Sequence, residues 1–486
     1  MNRWVGFALF LLFVMVFRLS DVVYLADMQQ MVGYRQWLAE DVQLMGYASF
    51  IGMTMIFPIL FRLKFRLTTR KILTGVTLTL AAMNVAFIYV SFVPLLVVFA
   101  FISGAIRIWG MFECMSSIMT GITPKRDFAV FFPVIYFMVL GFIQLTGFVA
   151  THLTYLWGWQ AMNVFDVFLL LSVCLLVRLL MRDIHLMPPQ PLYGIDWLGA
   201  LLWALVLGCI AFVATYGEHY EWWSERYIRL GSALALLFLA INLGRMGHIR
   251  HPYISYGLFR YPTIGPMLLM FALLCLLSAT QTTLQNTLTA GLLHWQPVTL
   301  VRLNLVQFLG VAVGALFSWQ ALVRLGWTYR QLTFVGFLFT GCYVAAMYFL
   351  VDLGTNIEAF YLPVFFMGFG SVTIYVAVTV YAQKVIPFSH FFQGLCVLGF
   401  VRTGVGNPIA GALVGHALRR QYIAHADLLG SEMAAGGVDQ SAWLHAQAMM
   451  GAIKELYGLA VVVAIIALAV VLLTRFKRTD SPPQRA

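Results

Sequence analysis

Runs of about 20 consecutive apolar residues recur along most of the sequence and limit what it can fold into. At about 1.5 Å of rise per residue, such a run is long enough for a helix to cross a hydrocarbon core of about 30 Å. Barrel strands would instead alternate apolar and polar residues over about ten positions. With 62% hydrophobic and 10% charged residues, the composition excludes a soluble globular protein. We predict an all-α integral membrane protein.

The middle of the chain separates the apolar runs into two similar blocks. Residues 188–262 contain two polar connectors and two short apolar segments, Trp197–Tyr216 and Tyr227–Leu243. Each flanking block divides into six apolar segments. We therefore predict fourteen transmembrane helices: an N-terminal six-helix bundle in 1–187, a connector with two inserted helices, and in 263–486 a C-terminal six-helix bundle with a cytoplasmic tail. An even number of spans places both termini on one side.

Orientation follows from the short loops, because loops rich in Lys and Arg favour the cytoplasm. The loop between the second and third spans, residues 62–71, carries five basic residues and no acidic one. We call it the basic loop. The opposite side holds most of the acidic loop residues. We predict a multi-pass protein of the inner (cytoplasmic) membrane with both termini cytoplasmic. The net charge of +11 reflects this orientation, so nucleic-acid binding is not indicated.

Signals for an enzyme, a cofactor or a metal are missing. The sequence has no Gly-x-x-x-x-Gly-Lys loop for ATP, so a transporter would depend on an ion gradient or run downhill. All six cysteines fall inside apolar segments, without a Cys-x-x-Cys pair. Neither a disulfide framework nor a zinc site is expected.

Several segments resemble one branch of a known transporter family. They are GIDWLGALLWALVLGCIAFVATYGEHYEWW and HPYISYGLFRYPT in the middle, TYLWGWQAMN after the fifth span, and GLCVLGFVRTGVGNPIAG in the thirteenth. Together with the repeat of two six-helix blocks, they are similar to the 14-helix drug:proton antiporters of the major facilitator superfamily. The resemblance covers nearly the whole chain and implies proton-coupled export by alternating access.

The signature motifs of this family are altered here. The second-to-third loop of the family reads Gly-x-x-x-Asp-Arg-x-Gly-Arg-Arg, and here Phe61 stands at the first Gly, Phe65 at the Asp and Thr68 at the second Gly. The basic residues Arg66, Arg70 and Lys71 remain in this loop. The fourth-span motif is also changed, although Arg107 lies seven residues after its Arg position, and the Pro-Gly-Gly of the fifth span is absent.

Ionisable residues inside the spans are informative, because each costs about 3 kcal/mol or more unless it faces protein or water. Asp21, Glu113 and Asp166 are the proton-coupling candidates. Asp21 is alternatively a structural partner of Arg18, three residues away on the same helical face. Glu113 is alternatively an ion-pair partner of Arg66 or Arg70 that holds a cytoplasmic gate shut, and Asp166 is alternatively an interfacial charge.

Polar side chains inside other spans predict a substrate cavity. The cytoplasmic-gate candidates are Arg66, Arg70, Lys71 and Glu113, and the substrate-cavity candidates are Arg18, Arg107, Gln144, Gln281, Gln285, Asn304, Gln307, Tyr375 and Arg402. Phenylalanines are interleaved with the amides, which suits an amphipathic ligand. The four span arginines suit an anionic one.

We predict a proton-coupled secondary transporter of the multidrug-efflux type, which exports amphipathic organic compounds through the lipid bilayer. One alternative is a transporter of a specific anionic or zwitterionic metabolite. Another is a transport-dead membrane scaffold or a lipid translocase. Because this branch often works with a periplasmic adaptor and an outer-membrane channel, residues 417–451, expected to form a flexible periplasmic loop, are a candidate docking surface.

Overall fold

Helices form every regular element that the structure describes. This computed structural model describes residues 3–20, 28–123, 127–181, 183, 194–436, 441–474 and 476. Its α-helices are α1 Arg3–Leu19, α2 Met28–Arg35, α3 Ala39–Met55, α4 Phe57–Lys64, α5 Thr69–Tyr89, α6 Val93–Ile122, α7 Phe128–Tyr136, α8 Phe142–Trp157, α9 Trp159–Leu180, α10 Trp197–Tyr216, α11 Arg226–Met246, α12 Tyr256–Phe259, α13 Ile264–Ala279, α14 Pro297–Trp319, α15 Tyr329–Leu350, α16 Tyr361–Val385, α17 Phe388–Gly399, α18 Gly406–Gly436 and α19 Ser441–Leu473. The π-helical segments are Phe137–Gly141, Thr280–Gln285, Thr287–Leu292, Gln320–Arg324 and Phe400–Gly404.

Most of these helices are long and apolar enough to cross a membrane. In the described part of the chain 12 qualify by length and composition, or up to 13 if α3 and α4 form one bent span. The helix α1 is apolar but shorter. The prediction of an all-helical membrane protein is confirmed, whereas the count of fourteen spans stays a prediction.

The chain packs as two compact units. The first unit comprises Met1–Leu268 and Thr379–Val405, and the second comprises Leu269–Val378 and Gly406–Ala486. The end of α16, α17 and the π segment after it therefore belong to the first unit, because α17 contacts α3, α4 and α12. This grouping differs from the bundle order along the chain, and the division into 1–187, 188–262 and 263–486 stays a prediction.

Close helix crossings in both units depend on glycine. In the first unit, a Cβ added at Gly52 would overlap the Phe101 carbonyl, and one at Gly104 would overlap the Ser49 carbonyl. The backbones of α3 and α6 therefore approach as closely as small residues allow. An apolar core that includes Phe17, Val76 and Leu170 packs around α1, α5, α6 and α9.

The second predicted span is bent. The axes of α3 and α4 differ by 56°, with Pro58 at the start of α4. Proline lacks an amide hydrogen and clashes with the preceding turn, so a straight helix cannot continue through it. The Ile59 amide donates a hydrogen bond to the Ile56 carbonyl, which leaves the Met55 carbonyl without its usual helical donor. The Met55 carbonyl accepts a hydrogen bond from the hydroxyl of Tyr253, in the connector after α11. The connector thus stabilises the bend.

The connection between the last two spans differs from the expected flexible loop. Within 417–451, α18 continues to Gly436 and α19 begins at Ser441. The two helices are joined by hydrogen bonds of Glu455 with Gln421 and His425, at 3.2 and 3.1 Å, and by one between Tyr422 and His445. The expectation of a loop was wrong because the segment is rich in strong helix formers such as Ala, Leu, Gln and Met, whereas its periplasmic location stays a prediction. Residues 437–440 lie outside the described chain.

Candidate functional site

Two buried guanidinium groups lie in the first unit. Arg18, at the end of α1, donates to the Val139 carbonyl from Nη2 at 2.8 Å and from Nε at 3.3 Å. Val139 lies in the π-helical segment between α7 and α8, a type of helix distortion that is frequent at functional sites. Arg107 donates to the Ser20 carbonyl at 2.7 Å and to the Ser49 hydroxyl at 3.4 Å. These arginines thus connect the end of α1 to α3, α6 and the α7–α8 span.

A small polar cavity adjoins Arg107. Its lining includes Ser20, Asn84 and Ser103, and its volume of about 10 Å³ corresponds to one water molecule. The Ser20 hydroxyl is buried and has no hydrogen-bond partner among the described residues. In this conformation the cavity is suited to water and is too small for an organic substrate.

Glu113 is fully buried within the span formed by α6. Its Oε1 accepts a hydrogen bond from the Thr69 hydroxyl at the start of α5, while Oε2 has no hydrogen-bond partner among the described residues. Lys64, at the end of α4, interacts electrostatically with Glu113 and donates to the Ser116 hydroxyl. Glu113 therefore has one hydrogen-bond donor and one nearby cation in the described chain.

The basic residues of the predicted cytoplasmic gate have other partners than Glu113 in the described chain. Arg70 donates to the Arg178 carbonyl at 2.8 Å, Lys71 lies 3.8 Å from Asp183, and Arg66 is exposed. The reason is local, because α5 begins at Thr69 and directs that residue to Glu113. The expected pair of Glu113 with Arg66 or Arg70 is therefore replaced by a pair with Thr69.

Aromatic rings collect beside Glu113. We name Phe61, Phe65, Phe112, Phe388, Phe391 and Phe392 the phenylalanine cluster. The Phe61 ring lies 4.8 Å from Phe65, 5.6 Å from Phe388 and 5.9 Å from Phe392, between ring centroids. Phe112 precedes Glu113 and contacts Phe392 at 5.8 Å. The cluster joins α4 and α6 to α17 at the end of the helices that carries the basic loop.

Arg402 lies in the π-helical segment after α17. It donates to the Tyr136 hydroxyl at 2.8 Å, and its guanidinium carbon is 5.8 Å from the centre of the Tyr136 ring. The Tyr136 hydroxyl is also 2.6 Å from the Thr379 hydroxyl. The cavity candidate Arg402 thus takes part in a polar network with α7 and α16, inside the first unit.

The remaining candidates of the first unit are placed separately. Asp166 is fully buried on α9, and Gln144 is half-buried on α8. Asp21, the first proton-coupling candidate, lies outside the described residues, directly after Ser20. Its pairing with Arg18 and its proton role stay predictions. No group of three or more His, Cys, Asp or Glu that could hold a metal occurs in the described ranges.

Uncharged amides dominate the candidates of the second unit. Gln281 donates to Gln307 at 2.9 Å, and Gln307 donates back at 3.3 Å. Gln285 is buried, and its side-chain carbonyl accepts a hydrogen bond from the Tyr343 hydroxyl at 3.0 Å. The Tyr375 ring lies 5.5 Å from Phe271. Asn304 is half-buried on α14, one turn before Gln307.

Several of these residues carry no clear signal in the sequence. Tyr136, Thr69 and Lys64 are ordinary in sequence, and only the folded chain brings them to Arg402 and Glu113. The available signal was the pair Phe61 and Phe65, two aromatic residues beside or within the basic loop.

The comparisons with known proteins concern structure. No family model and no curated protein matches the sequence. An auto-inhibited peptide transporter of the POT family shares 15% identity at a TM-score of 0.57, with 98% of each chain covered. The human organic anion transporter TETRAN shares 11% identity at 0.57, covering 96% of this chain and 100% of that one.

A further similar structure comes from work on substrate recognition in proton dependent oligopeptide transporters. It shares 14% identity at a TM-score of 0.59 and covers 97% of this chain and 99% of that one. The similarity extends over almost the full length in all three cases, whereas the drug:proton antiporter branch stays a prediction. On this structural similarity, the chain has a fold of the major facilitator type.

Proposed function

We propose that this protein is a proton-coupled secondary transporter of the inner membrane that works by alternating access. Glu113 carries the proposal, because it is a fully buried carboxyl inside a span with one oxygen hydrogen-bonded to Thr69 and the other without a described donor. A charged group inside a span costs about 3 kcal/mol or more unless a partner compensates it, and Lys64 is a nearby cation that can do so. The proton-dependent transporters of similar fold support this reading.

The phenylalanine cluster supports a gate next to this carboxyl. Its rings come from α4, α6 and α17, and they surround the part of the first unit where Lys64 lies 5.7 Å from the centre of the Phe112 ring. Separation of α17 from α4 would let water reach Lys64 and Glu113 together. Opening of this end is then coupled to a change in the proton occupancy of Glu113. Arg66, Arg70 and Lys71 form the charged rim of the gate.

For the substrate, we propose amphipathic organic compounds that are exported from the cytoplasm. The second unit supports this with paired amides and aromatic rings instead of charges. The second candidate is an anionic or zwitterionic metabolite. It is favoured by the buried guanidinium groups of Arg18 and Arg107 and by the similar fold of an organic anion transporter. Asp21 and Asp166 stay further proton-coupling candidates.

The test is transport in proteoliposomes with an imposed pH gradient, using ethidium and taurocholate as the cationic and anionic probes. We expect the wild type to concentrate at least one probe and to lose this ability when nigericin removes the gradient. Glu113→Gln should lower gradient-driven accumulation by about tenfold or more, because it cannot exchange a proton. Glu455→Gln, which removes an exposed carboxylate paired with His425, is the matched control.

The two probes separate the two candidate substrate classes. Preference for ethidium supports the export of amphipathic cations, and preference for taurocholate supports the anionic substrate. If Glu113→Gln accumulates the probe at the wild-type rate, Glu113 is not the coupling site. A wild-type protein that moves neither probe under the gradient would support the scaffold or lipid-translocase alternative.

A further inference from the structure

The two glutamines Gln281 and Gln307 form a closed amide pair in the second unit. Each side chain donates one N–H to the carbonyl of the other, at 2.9 and 3.3 Å. A carboxamide has two N–H donors and two acceptor lone pairs. Each glutamine therefore uses half of its hydrogen-bonding capacity in the pair. Both side chains are half-buried, in contrast to the buried Gln285 on the same π-helical segment.

The backbone around the pair favours exchange of its partners. Gln281 lies in the first of two successive π-helical segments that end the α13 span, and such segments are frequent at functional sites. Gln285, one turn later, is fixed by the Tyr343 hydroxyl. Gln281 instead has a flexible side chain as its partner. A ligand that offers a donor next to an acceptor can replace the Gln307 side chain and keep both hydrogen bonds of Gln281, and the half-buried Gln307 amide then turns to water.

The helix α16 sets the position of Gln307 and provides an aromatic surface nearby. A Cβ added at Gly368 would lie 3.2 Å from Gln307 Cγ, so α16 contacts this side chain directly. Tyr375 lies seven residues after Gly368, about 10 Å along the same helical face. Its ring is 5.5 Å from that of Phe271 and inclined to it by 32°. Tyr375 is half-buried, and it is the ring on this helical face toward which a planar ligand held by the pair would extend.

We propose that the Gln281–Gln307 pair binds uncharged planar aromatic molecules that carry a lactam or carboxamide edge, with N–H and C=O side by side. Such an edge reproduces the hydrogen-bonding pattern of either glutamine. Charged molecules gain less here, because the pair offers no countercharge. The proposal rests on the proposed function in one respect, since it assigns the pair to the substrate path.

The probe is 2-quinolone, a bicyclic lactam, and its binding to the purified protein is measured by ligand-observed NMR. We expect N-methyl-2-quinolone to bind about tenfold or more weakly, because it lacks the donor and its methyl group meets the glutamine acceptor. This comparison needs no mutation and is independent of folding. The proposal is overturned if the wild type does not bind 2-quinolone, or if the methylated probe binds equally well.

Variants locate the site. Gln307→Leu and Gln281→Leu should each lower the affinity for 2-quinolone by about tenfold. Gln421→Leu is the control, since it removes the same side chain from the α18 extension. Equal binding by all variants would overturn the assignment. Because binding needs no pH gradient, its absence beside gradient-driven transport would refute this inference and leave the proposed function intact.

Discussion

Two helix pairs, α3 with α6 in the first unit and α14 with α16 in the second, use the same packing and different chemistry. In the first pair, Gly52 and Gly104 bring the backbones into contact. In the second, a Cβ at Gly310 would overlap the Phe365 carbonyl, and one at Gly368 would lie 2.5 Å from the Gln307 carbonyl. Small residues therefore determine both crossings in the same way.

The polar groups next to the two crossings differ. Ser49, which contacts Gly104, accepts a hydrogen bond from Arg107, and Glu113 lies further along α6. Gln307, which contacts Gly368, pairs with the neutral Gln281. The same close helix packing therefore holds charged groups beside one crossing and a neutral amide pair beside the other. Under the proposed function, the first would serve coupling and the second substrate recognition.

The largest expected effect comes from disrupting the two glycine-dependent helix crossings. We expect Gly104→Ala and Gly310→Ala to lower the thermal unfolding midpoint strongly, with a cost of about 1–3 kcal/mol or more, because the new methyl group meets backbone atoms. Gly75→Ala is the control, since a Cβ there has no neighbour within 4 Å. Thermal unfolding in detergent measures the effect. Midpoints equal to that of Gly75→Ala would show that the crossings tolerate separation.

A second, intermediate effect concerns the phenylalanine cluster, which joins α4 and α6 to α17 in the first unit. Phe392→Ala should expose the buried Cys396, which lies one turn later on α17, and raise its rate of modification by a water-soluble maleimide about 3–10-fold, as expected for loss of ring contacts worth about 1 kcal/mol. Mass spectrometry of the Cys396 peptide measures the rate. Phe349→Ala, at an exposed ring of the second unit, is the control. An unchanged rate would mean that the cluster does not close this end.

The positions of the transmembrane helices were predictable from sequence, because the length of each apolar run and the capping and turn residues at its ends determine them. The bounds of α10, Trp197–Tyr216, matched the prediction because Asp196 caps the helix and Tyr216 precedes a glycine. The bend at α3 and α4 was missed although Pro58 signals it, because the apolar run continues past the proline.

The chemistry of the candidate site was only partly predictable. Gln281 and Gln307 were both recognised as polar residues in spans, but their mutual pairing depends on how α13 and α14 pack. The replacements Phe61 and Phe65 were visible, while their partners Phe388 and Phe392 come from a distant part of the chain. Spacing within one helix cannot reveal such contacts.

The smallest expected effect concerns the inserted pair, where a charged contact has a structural role. Asp196 accepts hydrogen bonds from Arg245 at 2.8 Å, from the Gly199 amide at 2.8 Å and from the Tyr253 amide at 3.3 Å. Burial opposes ionisation, but these donors outweigh it and hold the pKa of Asp196 below its ordinary value. The carboxylate thus ties the start of α10 to the end of α11 and to the connector that reaches the α3–α4 bend.

Asp196→Asn keeps an oxygen that can cap α10 and removes the charge, so at neutral pH we expect a loss of about 1 kcal/mol of stability. Because the folded-state pKa is depressed, the stabilisation is complete above the unfolded value of about 3.9 and is lost as the pH falls through the folded value. The thermal midpoints of wild type and Asp196→Asn should therefore differ at pH 7 and converge below about pH 4. Asp352→Asn, at an exposed loop position, is the control. A difference that persists unchanged at low pH would show that the ion pair with Arg245 does not stabilise the inserted helices.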